Sequence, residues 1–220
     1  MRALYFLLPW CCSAILPFSA LATEAKELFA KDSLAGWKTV SGAEPRPGGW
    51  SMVDGVLTHE QLGCGDLWSV ENYRDFELTF EWRVTEAANS GVKYRVLKKK
   101  NAPLGFEYQV LDDAKHKDGS NPRTSAAALY HTIAPASGKK LKPVGDWNEA
   151  KIVVRGRHIE HWLNGEKVVD VEAKGADWEA AVKTSKYAKE PDYGVAESGP
   201  IVIQDHNDRV SFRNMKVRPL

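Results

Sequence analysis

Between Phe76 and Val84 every second residue is large and apolar: Phe76, Leu78, Phe80, Trp82 and Val84. Glu77, Thr79, Glu81 and Arg83 fill the gaps. Side chains of an extended chain alternate from face to face, so this run predicts a strand with one buried and one polar face. The pattern returns at Gly91–Leu97, with Val92, Tyr94 and Val96 opposite Lys93 and Arg95. It returns again at Phe106–Leu111, where Phe106, Tyr108 and Val110 lie opposite Glu107, Gln109 and Leu111. Further strands are predicted at Asn148–Arg155, Arg157–Leu163, Lys167–Glu172, Gly199–Gln204 and Arg209–Arg218. Asn164-Gly165 between two of them is a strong short hairpin signal. So many strands with few helical stretches predict an all-β chain, a two-sheet antiparallel sandwich. Ala176–Ala188, carrying Trp178, Val182 and Tyr187 among charged residues, is the one expected helix. Two long connections, 112–128 and 131–146, are expected to wall or cover a site.

The first residues read as a targeting segment. Arg2 precedes a mostly apolar stretch, Leu4 to Leu21, and Ala20-Leu21-Ala22 is a small-x-small cleavage site. Residues 1–22 are therefore expected to leave as a signal peptide, giving a periplasmic or secreted protein whose single domain spans 23–220 and has no membrane span. Removing Arg2 leaves 29 basic and 29 acidic residues. That balance offers no electrostatic footprint for nucleic acid. Lys98-Lys99-Lys100 reads as a solvated hairpin tip. Cys11 and Cys12 leave with the signal, so Cys64 stands alone and no intrachain disulfide can form.

An ordered set of motifs resembles the 3-keto-disaccharide hydrolase domain family, of concanavalin A-like fold. They are Leu28-Phe29, Leu34-Ala35-Gly36-Trp37, Trp50 with Asp54-Gly55-Val56-Leu57, Phe76–Arg83, Asn89-Ser90-Gly91-Val92-Lys93-Tyr94-Arg95, Glu107–Asp112, Trp147-Asn148, His161–Gly165, Gln204-Asp205-His206 and Phe212-Arg213-Asn214. They cover roughly residues 27–219. The resemblance implies a jelly-roll sandwich and cleavage of glycosides already oxidised at C3 of the sugar. The expected partner is thus a carbohydrate. One departure is Asn207, where the family pattern has glycine; asparagine tolerates the left-handed conformation such a turn needs.

Sandwich glycosidases of the laminarinase kind resemble this fold and carry acids at alternate positions of one strand. Here Glu107 and Gln109 share a face, but the third position is Leu111. The ordinary retaining mechanism, which needs two carboxylates, lacks its second group on this strand. A 3-keto sugar removes that need: the ketone acidifies the C2 proton, a base takes it, and the C1 substituent leaves by β-elimination, after which water can add back. Glu107 or His206 is the candidate base, and Lys93, Arg95 or a metal the candidate enolate stabiliser. Gln109, Gln204, Glu81, Tyr130, His131, Trp147 and Asp112 are candidates for substrate contacts. Asp205 and His206 are candidate ligands for a divalent ion, although no spacing demands a cofactor. The rival readings are ordinary ones. Lys93 and Arg95 could form structural ion pairs with Glu81 or Glu107, His206 could cap a turn, and His158 and His161 read as surface residues. A non-catalytic carbohydrate-binding module and an ordinary glycosidase are the competing functions.

Overall fold

The computed structural model describes residues 24–100 and 102–220; the expected signal segment lies outside the described residues. In chain order the elements are β1 Lys26–Glu27, β2 Trp37–Lys38, β3 Trp50–Val53, β4 Val56–His59, β5 Leu67–Tyr73, β6 Phe76–Val84, β7 Asn89–Lys99, β8 Ala102–Leu111, β9 Asn148–Arg155, β10 His158–Leu163, β11 Glu166–Glu172, α1 Ala176–Lys183, β12 Gly199–Ile203 and β13 Val210–Pro219. They form two antiparallel sheets. The larger runs β11-β10-β9-β6-β13-β4-β3, with β1 also paired to β13, and the smaller runs β2-β5-β12-β7-β8. This is the two-sheet sandwich expected from the alternation. Asn164 and Gly165 both take positive φ, 48° and 83°, between β10 and β11, the backbone that a two-residue hairpin of this twist requires.

The apolar faces meet between the sheets. On β6, Phe76, Leu78, Phe80 and Trp82 are all buried. Phe76 meets Tyr94 edge-on at 6.0 Å between ring centroids, and Phe80 meets Tyr108 at 5.4 Å. Each such ring contributes roughly 1.5–3 kcal/mol of burial, so these cross-sheet pairs clamp β6 onto β7 and β8.

Two details depart from the simple alternation. β7 carries a bulge between Tyr94 and Leu97, where Arg95 has φ 49°. An extra residue in one strand re-aims the side chains around it. His161, expected at the surface, is fully buried between the sheets. Tyr94 Oη lies 2.8 Å from its Nε2, and its Nδ1 lies 3.0 Å from Ala127 O. A carbonyl only accepts, so Nδ1 carries the proton and Nε2 accepts from Tyr94. Burial pushes the His161 pKa down to about 4. Among the described residues no helix is long and apolar enough to cross a membrane.

Candidate active site

The register of the smaller sheet assembles the site on its outer face. Val202 pairs with Trp68 on one side and Lys93 on the other, and Lys93 pairs with Glu107. One strand further, Tyr108 bridges Leu129, and Tyr130 N donates to Glu107 O. Trp68, Val202, Lys93, Glu107 and Tyr130 therefore form one row across the face. Moving two residues along each strand gives the next row. Asp66 and Gln204 lie one step beyond the last pairs of β5 and β12, Gln204 N donates to Gly91 O, and Gly91 pairs with Gln109. The free edge of β8 is covered by residues 127–130, through Gln109 N to Ala128 O and Ala127 N to Gln109 O. That segment opens on left-handed backbone at Ala127, φ 64°, and is followed by it at His131, φ 65°. Side chains other than glycine pay for this conformation, and such residues cluster at functional sites.

Within these rows the central pair is Lys93 and Glu107. Nζ donates to Oε2 at 2.5 Å, and both residues are almost fully buried. Glu107 can lie flat on the sheet only because position 91 is glycine: a Cβ there would stand 2.3 Å from Glu107 Oε1. Beside it Gln109 is 1% exposed. Its amide nitrogen donates to Asn89 Oδ1 at 3.2 Å, while its Oε1 has no hydrogen-bond partner among the described residues. A buried acceptor left unpaired costs about 1–3 kcal/mol, so this oxygen favours any ligand that brings a hydroxyl to it.

Asp66 is the functional candidate that sequence reasoning missed. It lies in a short Gly-rich connection, where no alternation marks a face. Burial raises its pKa, and the nearby charges of Asp205 and Glu107 add to the effect against Lys93. Its Oδ1 accepts from Asp205 N at 2.9 Å. Opposite, burial pushes the Tyr130 hydroxyl up to about 12, so it stays a neutral donor. Lys186, expected by no motif, places its ammonium 4.1 Å from the Tyr130 ring centre and 5.0 Å from that of Tyr187. Burial of the ammonium lowers its pKa, and the Lys93 charge adds to the effect against Glu107 and Asp118. His131 sits next to Tyr130, and its Nδ1 accepts from Lys186 N at 3.3 Å. Burial and then the Lys186 charge lower its pKa.

Several sequence candidates are placed elsewhere. Arg95 leaves this face at the bulge and is spent on the sandwich. Its guanidinium donates to Arg74 O, Gly156 O at 2.5 Å and Asp75 Oδ1 at 2.9 Å, tying β7 to the β5–β6 connection between the sheets and to the β9–β10 turn of the larger one. Glu81 lies on the outer face of the larger sheet, where Arg213 donates to it twice, at 2.9 and 2.6 Å. Trp147 lies on that side too, with Arg83 and Arg213 at 4.7 and 4.2 Å from its ring. Asp112 accepts from Ala87 N at 2.8 Å and Ala114 N at 3.0 Å, so it holds the β6–β7 turn. His206 is exposed, 3.6 Å from Asp208 and facing His116 at 6.3 Å between rings. Asp205 turns away from His206 and towards His59, so the two do not form an ion-binding pair. Asn207 takes φ 68°, as expected where it replaces glycine.

Residues 24–218 match the family described as the 3-keto-alpha-glucoside-1,2-lyase-like domain. A 3-keto-disaccharide hydrolase of Bacteroides thetaiotaomicron is 31% identical over 226 residues, spanning 88% of this chain and 77% of that protein. A crystal structure from Parabacteroides distasonis ATCC 8503, named as a candidate glycosyl hydrolase, superimposes with a TM-score of 0.80 at 31% identity, over 88% of this chain and 92% of that one. A second such structure from the same organism gives 0.70 at 27% identity, over 90% and 100%. The carbohydrate-binding module CBM66 of Bacillus subtilis, at 0.52 and 15% identity over 83% and 95%, shares the fold alone. With nearly all of its described length matched, the chain belongs to the 3-keto-alpha-glucoside-1,2-lyase-like domain family.

Proposed function

We propose that this carbohydrate-active enzyme cleaves glycosides whose sugar carries a ketone at C3, by β-elimination across C1 and C2. The observation that carries the reading is the buried Lys93–Glu107 pair: a carboxylate base and a cation held side by side at the floor of one face. Glu107 takes the C2 proton, and Lys93 shifts from the carboxylate to the 3-oxo oxygen as negative charge grows there. The C1–O bond breaks, and the leaving oxygen takes a proton from Asp66, whose pKa burial raises. Water then adds across the resulting C1–C2 double bond: its oxygen bonds to C1 as Asp66 regains a proton from it, and C2 receives from Glu107 a proton already exchanged with solvent, which completes net hydrolysis. Gln109 Oε1 accepts from a ring hydroxyl. The membership of this family and the 3-keto-disaccharide hydrolase relative support the substrate class.

Asp66 and Glu107 on one face also give ordinary glycoside hydrolysis a specific foothold, since two carboxyl groups can divide acid and base roles. The two readings part on substrate. Incubating the protein with a 3-keto-glucoside, 3-keto-trehalose and their unoxidised parents, followed by mass spectrometry, should show release only from the keto forms. Equal release from the parents contradicts the proposal. We further propose that the protein is exported, with cleavage after Ala22, as the Ala20-Leu21-Ala22 triplet suggests.

A further inference from the structure

Behind Asp66, on the core side of the same loops, His59, Cys64 and Asp205 come together. One ligand atom of each lies within 4.8 Å of the others. They come from three places in the fold: the end of β4, the β4–β5 connection and the β12–β13 connection. His59 is 2% exposed, and its Nε2 lies 3.0 Å from Asp205 Oδ1 but off the hydrogen-bond axis. That nitrogen has no hydrogen-bond partner among the described residues. The Asp205 carboxylate is fixed from outside the cluster, accepting from Gly65 N at 2.7 Å and Asn207 N at 2.9 Å. Trp50 packs edge-on against the imidazole at 4.7 Å.

We infer that His59, Cys64 and Asp205 form a binding site for a zinc-class divalent cation. Nitrogen, sulfur and oxygen donors are a borderline-soft set, and three protein ligands leave a fourth position for water. Tetrahedral zinc, with bonds of about 2.0–2.3 Å, puts its ligand atoms about 3.2–3.8 Å apart, so small side-chain shifts bring these three into range. Carboxylate-bound backbone N–H groups supply the outer-shell orientation that such sites need. Binding replaces the Cys64 thiol proton, which leaves to solvent, by a sulfur–metal bond, so affinity rises with pH. A second cluster, His158, Glu160 and Asp170, has the same spacing, but Lys167 donates to both of its carboxylates and already supplies the positive charge. The ion would do its work through geometry. Asp205 N donates to Asp66 Oδ1, so fixing Asp205 fixes the carboxylate on the catalytic face.

The test uses the untagged mature chain, stripped with chelator, dialysed and titrated with cobalt and with zinc. We expect about one ion retained per chain and a thiolate-to-cobalt charge-transfer absorption. Zinc should raise the melting temperature. Cys64→Ser should lose the charge-transfer absorption and bind zinc at least tenfold more weakly, with unchanged circular dichroism. Wild-type protein that retains no ion, or binds cobalt without a thiolate band, overturns the assignment. The wild-type spectrum alone decides the matter if the variant fails to fold.

Discussion

A methyl group at position 91 would overlap the Glu107 carboxylate. Gly91→Ala should therefore push Glu107 off the sheet, cost about 1–3 kcal/mol in stability, and lower kcat by more than tenfold; a denaturant melt beside steady-state kinetics checks both. Asp66 makes a sharper case. Its folded pKa is raised, so folding favours its neutral form. The resulting destabilisation is absent below the unfolded pKa and grows as pH rises through that value towards the folded one. Asp66→Asn, which keeps an acceptor for Asp205 N, should then melt higher than wild type at neutral pH while losing most of its turnover. An active, unstabilised variant would count against the acid assignment. The residue scale is also where the sequence was least legible. Glu107, Lys93, Gln109 and Gln204 could be put on one face by period-two counting. Asp66 could not, because residues 60–66 carry no alternation. Arg95 was misplaced because a one-residue bulge leaves no mark in the pattern.

β7, β8 and β12 owe their order to the pairing just described, and the edge of β8 owes its order to the segment 127–130. His161 on β10 reaches through the core to hold Ala127 O, so a histidine of the larger sheet braces the strained edge of the site from behind. Its pKa is lowered to about 4 from an unfolded value of 6.5. The unfolded chain therefore takes up a proton that the folded one refuses, and stability is lost as pH falls from about 6.5 to 4, by about 3 kcal/mol. Urea melts at neutral and acid pH should show this loss, and His161→Gln should abolish most of it. Alternation made the long strands visible, but not this role: a polar residue at a buried position looks the same, in one sequence, as one at an exposed position. Nor could alternation say which sheet a polar face belongs to. Glu81 and Trp147 fit the pattern of site residues and lie on the larger sheet instead. β5 escaped notice because Val70, Glu71 and Asn72 are successively exposed and hide the period.

At the scale of the whole molecule, the proposed elimination belongs to one face of the smaller sheet, and the larger sheet packs against the other face. Export belongs to this scale, and intact-mass analysis of protein recovered from the periplasm or medium should give a chain beginning at Thr23; a retained Met1 would contradict it. The chemistry makes a demand that no other reading shares. A proton must leave C2 before the glycosidic bond breaks, and Glu107 must carry it. Replacing Glu107 by glutamine should cut turnover by about 10²–10⁴ and leave the melt within about 1 kcal/mol of wild type. The most direct measurement is cleavage of a 3-keto-glucoside in deuterated water, with the released sugar analysed for deuterium at C2. The account predicts one deuterium at C2 with wild-type protein and none above background with Glu107→Gln; cleavage by wild type with no deuterium at C2 would contradict it.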